Sequence, residues 1–155
     1  SKLYKLLVFS IFSVLLFNSC SPENTSYMGR KWNDMIAHYN IYFNGEQKLI
    51  AAMDRLETGN IDDFSNFISV FPWGDDNAKK ANTAEMDEVI KKTSTVIQDR
   101  YKSKWVDDSY LLMGKAYFFK GDYYAAAETF SYMLARFKKP PIADDANVWS
   151  FMCYV

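Results

Sequence analysis

Apolar positions along the chain fall into blocks with helical spacing, separated by polar, glycine or proline stops. Trp32, Met35, Ile36, Tyr39 and Phe43 recur at steps of three and four over 27–43, and Leu49, Ile50, Met53 and Leu56 do so over 46–58. Asn44-Gly45 between them is a turn signal and Gly59-Asn60 a stop, so the pattern predicts two helices folded as a tight hairpin. Over 61–77 the pattern changes: Phe64, Phe67, Ile68, Val70, Phe71 and Trp73 are interrupted by Pro72 and Gly74. A bare loop of that length is uncommon inside a compact domain, so this apolar connection must pack against something. The clearest helix follows, with Met86, Val89, Ile90, Thr93, Ile97 and Tyr101 on one face. Glu85, Glu88, Lys91, Lys92 and Asp99 fall largely off that face, and Asn82 or Thr83 can cap the start.

From Asp107 onward the spacing becomes more specific. A helix starting at Asp107-Asp108 carries Met113-Gly114 and Tyr117, turns at Gly121-Asp122, and returns with Ala126 and Phe130 before Pro140-Pro141. Gly114 leaves room for a crossing helix, Gly121 suits a left-handed helix stop, and Ala126 followed by Phe130 repeats the small-then-large arrangement. This resembles a tetratricopeptide repeat, a unit of two antiparallel helices. Asp144-Asp145 then opens another first helix. A shift of 37 pairs Asp107-Asp108 with Asp144-Asp145 and Tyr117 with Tyr154, but sets Phe151 against Gly114; a shift of 36 sets Ser150 there. The pattern therefore implies an all-α chain of stacked antiparallel hairpins, a solenoid in which 102–155 holds repeats and 27–101 an atypical hairpin, apolar loop and long helix. The last repeat is cut short, so the chain is expected to be the front part of a longer protein.

The first nineteen residues are a separate object. Lys2 and Lys5 precede an apolar run from Leu6 to Phe17 broken only by Ser10 and Ser13. Twelve residues cover about 18 Å as a helix, short of the ~30 Å hydrocarbon core. This is the layout of a secretory signal peptide over 1–19. It ends Phe17-Asn18-Ser19-Cys20, which resembles the lipobox of bacterial lipoproteins. The resemblance implies that Cys20 is acylated and becomes the N-terminus, that 20–26 is a polar tether, and, with no aspartate after Cys20, that the protein is sorted to the outer membrane.

Composition narrows the chemistry. The 155 residues are 49% hydrophobic and 17% aromatic with formal net charge -1, which moves to -3 when Lys2 and Lys5 leave with the signal peptide. So small a charge gives no field for collecting phosphate backbones, and no nucleic-acid partner is expected. With Cys20 acylated, Cys153 is the one remaining thiol and no internal disulfide forms. The single histidine, His38, has no nearby motif to make it a ligand or base, and no phosphate loop, nucleophile elbow or metal-spaced cysteine pair is present. Asp62-Asp63, Asp75-Asp76, Asp107-Asp108 and Asp144-Asp145 sit in loops or at helix starts, where carboxylates favour the helix dipole. The sequence therefore predicts no enzyme, cofactor, metal or small-molecule substrate beyond the acyl chains on Cys20. Function is expected from shape: the first helices of such repeats line a concave face. Asp108, Leu111, Lys115, Phe118 and Phe119 are the expected partner-binding residues there. Phe118 and Phe119 either include an exposed aromatic anchor or pack against the preceding helix.

Several stretches together carry a closer resemblance: HYNIYFNG at 38–45, VFPWGD at 70–75, MDEVIKK at 86–92, KWVDDSY at 104–110 and GDYYAAAETF at 121–130. With the lipobox, the chain resembles the PorW/SprE-type lipoproteins of the type IX secretion and gliding motility apparatus of Bacteroidetes-type bacteria. The resemblance implies a non-catalytic, periplasm-facing outer-membrane lipoprotein that links components of the secretion machine through protein contacts, and it carries over only Cys20 as a defined residue. Competing readings are a BamD-like assembly lipoprotein, whose repeats begin soon after the cysteine, a SusD-like glycan-binding lipoprotein, which would need loop aromatics such as Phe71 and Trp73, and the helical part of a lytic transglycosylase.

Overall fold

The computed structural model describes residues 26–61, Phe64, Ser65, Trp73 and 76–154. The signal segment, Cys20 and most of the apolar stretch 62–75 lie outside the described residues. Every regular element among the described residues is helical. In chain order these are α1 (Tyr27–Met35), a π-helical segment (Ile36–Tyr42), α2 (Phe43–Gly59), α3 (Asp76–Ala81), α4 (Thr83–Asp99), α5 (Val106–Lys120), α6 (Tyr123–Arg136) and α7 (Ile142–Met152).

The expected hairpin at Asn44-Gly45 is not there. α1, the π segment and α2 run on as one continuous helix, started by Ser26, whose hydroxyl oxygen accepts the Gly29 N–H at 3.1 Å. The physical reason is tertiary. Gly45 is buried, and a Cβ there would stand 3.3 Å from Leu112 Cδ2 and 3.8 Å from Val89 Cγ1, so the glycine serves close helix approach rather than a turn. Asn44 stays helical and donates its side-chain amide to the Asn40 carbonyl at 3.0 Å. The stop at Gly59-Asn60 is as expected, with Asn60 in extended backbone.

α4 buries Met86, Val89, Thr93 and Val96, and the Thr93 hydroxyl is satisfied by the Val89 carbonyl at 2.9 Å. Val96 thus joins the expected face, whereas Tyr101 lies past the helix end and is exposed. Asn82 occupies the cap position of α4 without capping: its amide donates to the Ala78 carbonyl and its oxygen accepts from Arg55. The short α3 was not expected from the sequence.

Apart from the short α3, the later helices pack in series: α4 on α2, α5 on α4, α6 on α5, and α7 on α6, with α7 also reaching back to α5. Ion pairs tie these neighbours at their edges. Lys48 meets Glu88 and Arg55 meets Glu85 between α2 and α4, Lys120 meets Asp87 at 2.6 Å between α5 and α4, and Lys115 meets Asp145 at 3.4 Å between α5 and α7. The turn from α5 to α6 follows the expected chemistry. Gly121 takes φ +88, and the Asp122 carboxylate accepts the Ala125 N–H at 3.2 Å as the cap of α6.

Where α5 and α6 cross, a Cβ on Gly114 would lie 2.4 to 2.8 Å from three atoms of the Phe130 ring, which is fully buried. Gly114→Ala is therefore expected to cost about 1–3 kcal/mol by overpacking. Urea unfolding should show the loss and a partial recovery when Phe130→Leu is added. Gly59→Ala, whose Cβ meets nothing within 4 Å, should stay near the parent.

Candidate interaction surface

The five residues expected to bind a partner all lie on α5, but the structure divides them among three environments. Phe118 and Phe119 are buried, so neither stands out as an exposed anchor. They sit in an aromatic cluster in which Trp73 lies edge-on to both at 5.4 and 5.3 Å, and Trp149 of α7 lies edge-on to both at 5.4 and 5.5 Å. Trp73 and Trp149 themselves stack at 5.6 Å. Of the described residues in the apolar connection, Trp73 packs on the end of the expected binding row, whereas Phe64 is 82% exposed. Leu111 of that row is buried, part of the common core.

Lys115 and Asp108 remain accessible in part. Lys115 Nζ reaches Asp145 and also lies 5.2 Å above the Trp149 ring, so its charge is held by α7 from two directions. Asp108 stands at the other end of α5, beside Glu46 and Tyr42 from the long N-terminal helix. Burial, and then the charge of adjacent Asp107, pushes the Asp108 carboxyl above its ordinary value. Asp107, itself buried, accepts from Lys139 at 2.9 Å. Tyr42 donates to Glu46 Oε1 at 3.1 Å, and burial, reinforced by the Glu46 and Asp108 charges, holds its hydroxyl well above the usual tyrosine range.

Aromatic rings close this end. His38 of the π segment stacks on Trp105 at 3.9 Å with the planes 16° apart, Tyr42 lies 5.3 Å from the same indole, and Lys104 Nζ is 5.4 Å from it. Tyr42, Glu46 and Trp105 were not singled out from sequence. The four-residue spacing of Tyr42 and Glu46 would have paired them had the helix been read through Asn44-Gly45. A second opening, a groove of about 530 Å³ between α6 and the end of α7, is lined by Tyr123, Tyr124, Glu128 and Cys153 among others. The Cys153 thiol donates to the Trp149 carbonyl at 3.2 Å, and burial pushes it up.

Among the described residues, no group of three His, Cys, Asp or Glu side chains is placed to hold a metal ion, and no helix is long and apolar enough to cross a membrane. The sequence matches no family model, and no curated protein matches it significantly.

The raised Asp108 carboxyl and Tyr42 phenol make stability depend on pH with the same sign. Each holds its proton more tightly in the folded chain, so its contribution is complete below the ordinary value, 3.8 for the carboxyl and 10.0 for the phenol, and declines as pH rises through the raised one. Asp108→Asn is expected to be more stable than the parent at neutral pH and to lose that advantage below about pH 4, where the native carboxyl is protonated anyway. Tyr42→Phe should remove part of the alkaline decline. Unfolding midpoints measured across pH check both, and a stability difference for Asp108→Asn that does not vary with pH would mean that Asp108 carries no unfavourable charge.

Proposed function

We propose that this chain is a non-catalytic outer-membrane lipoprotein, anchored through acylated Cys20, whose body of tetratricopeptide-like hairpins serves as a scaffold for protein contacts in type IX secretion and gliding motility. The observation that supports the scaffold most directly is the serial packing of α4, α5, α6 and α7, with the Gly114–Phe130 crossing and the left-handed stop at Gly121 in one hairpin. In such an arrangement α2, α5 and α7 are the helices of the inner row. The row presents charged groups, Glu46, Asp108, Lys115 and Asp145, while Phe118 and Phe119 of α5 are buried. A row of that kind suits a partner chosen by charge placement rather than by insertion of a large apolar side chain.

The anchor reading rests on the signal segment and the Ser19-Cys20 junction. The glycan-binding alternative needs a loop aromatic free to stack on a sugar, and Trp73 instead packs on Phe118, Phe119 and Trp149.

Cys20→Ala is expected to leave the protein in the soluble periplasmic fraction, while the parent sediments with outer membranes and carries acyl chains by mass spectrometry. Continued membrane association of the variant in fractionation counts against the anchor. Removing the protein from its host should abolish export of type IX cargo and surface gliding, with rescue by the parent; unchanged export would sink the secretion assignment.

A further inference from the structure

The long N-terminal helix is built inside out at its start. α1 meets the body through polar side chains: Asn33 is buried and accepts from the Arg100 guanidinium, and Asp34 accepts from the Ser103 hydroxyl at 2.9 Å and the Lys104 N–H at 3.0 Å. Its large apolar residues point the other way. Met28, Trp32, Met35, Tyr39 and Phe43 are spaced by four, three, four and four residues, and are 76, 53, 44, 62 and 46% exposed. A helix whose buried side is polar and whose open side is aromatic and thioether-rich has its apolar face aimed at something other than its own core.

Three features identify the occupant. Trp, Tyr and Met beside Arg30 and Lys31 are the composition of a helix lying at a lipid–water interface, with rings at headgroup level and cations toward phosphate. Asp34 is the one acidic residue over 27–45, and its carboxylate is turned inward onto Ser103 and Lys104, so the open side repels no anionic headgroup. Seven residue steps separate Tyr27 from Cys20, which at full extension span about 25 Å, so the helix begins within reach of the bilayer that holds the acyl chains. A coiled-coil seam with a second copy fits less well, since the π turn interrupts the heptad register that knobs-into-holes packing needs.

We infer that the exposed face of α1 and the π segment, Met28, Trp32, Met35 and Tyr39, lies on the lipid surface as an interfacial helix. It orients the body against the membrane where the acyl anchor alone would only tether it. The nearness to a bilayer rests on the proposed Cys20 anchor; the composition of the face does not.

The test uses the full chain in a Cys153→Ser background, reconstituted in vesicles of phosphatidylethanolamine and phosphatidylglycerol, with a nitroxide at Met35→Cys or, as a control on exposed α6, at Ser131→Cys. The label at 35 should be several-fold more accessible to oxygen, relative to a water-soluble nickel chelate, than the label at 131. Equal ratios at the two positions overturn the inference. So does a label at 35 shielded from both reagents, together with an unlabelled Met35→Cys thiol that cross-links to a second copy or another protein. Mass spectrometry of the same sample reads the anchor separately. If no acyl chain is found, the anchor reading fails while the face is still decided by mixing the unacylated chain with the vesicles. There a W32S/M35S double variant should bind several-fold more weakly at unchanged melting temperature, and undiminished binding overturns the inference.

Discussion

The structure depends on α5 being enclosed on almost every side. α2, α4, α6 and α7 all contact it, and Trp73 closes its last turn. A helix contacted on several sides is not simply amphipathic, and its buried residues fall on two of its sides, Leu111, Gly114 and Phe118 on one and Ser109, Leu112, Ala116 and Phe119 on the other. What it needs instead is an ordered series of sizes. Small residues stand where a neighbour's backbone or ring comes close, Gly114 under Phe130 and Gly45 of α2 over Leu112, and large ones fill the spaces between. The same enclosure explains why the row expected to bind partners is half buried. Residues three and four apart along α5 share a face, but that face is covered at one end by α7 and Trp73 and left partly open at the other.

How much of this was legible in the sequence follows from the range of each signal. The Gly121 stop, the small position at Gly114 and the α4 face were readable because each is decided within one helix or one hairpin. The exposure of Phe118 and Phe119 could not be decided there, since it turns on Trp73, some forty-five residues upstream, and on Trp149, thirty downstream. Asn44-Gly45 failed for the opposite reason. Its local signal is strong, but the interior of a helix tolerates a glycine at a cost of about 1 kcal/mol, and close approach to Leu112 and Val89 outweighs that.

The π segment is the feature with no local signature, and it decides which way the N-terminal helix faces. Counting back by sevens from the buried Leu56 and Leu49 passes through Tyr42, Met35 and Met28, so an unbroken α-helix would keep these on one slowly drifting stripe directed toward the body. A π turn takes up one extra residue, which rotates everything before it by ~100°. Within it Ala37 faces inward, and beyond it Asn33 faces inward while Met28 and Met35 face out. The rotation also delivers His38 and Tyr42 to Trp105, so the ring cluster beside Asp108 and the outward apolar face have a single cause.

That shared cause constrains what the apolar face can be for. An outward stripe left over from drift would be expected to lie on a loosely held helix, because exposed apolar residues add nothing to docking. Here the opposite holds: α1 is fixed by Asn33 to Arg100 and by Asp34 to the 103–104 backbone and hydroxyl, and the π segment that follows it by the His38–Trp105 stack. Polar contacts of this kind contribute modest net stability, roughly 0.5–1.5 kcal/mol each, but are directional in a way that apolar packing is not. They set the rotation of α1 about its axis, which is the one degree of freedom that decides whether Trp32 and Met35 meet the body or the surroundings. Polar groups are therefore used on the inner side because orientation is what this helix has to hold, and the apolar side is thereby kept open in a defined direction.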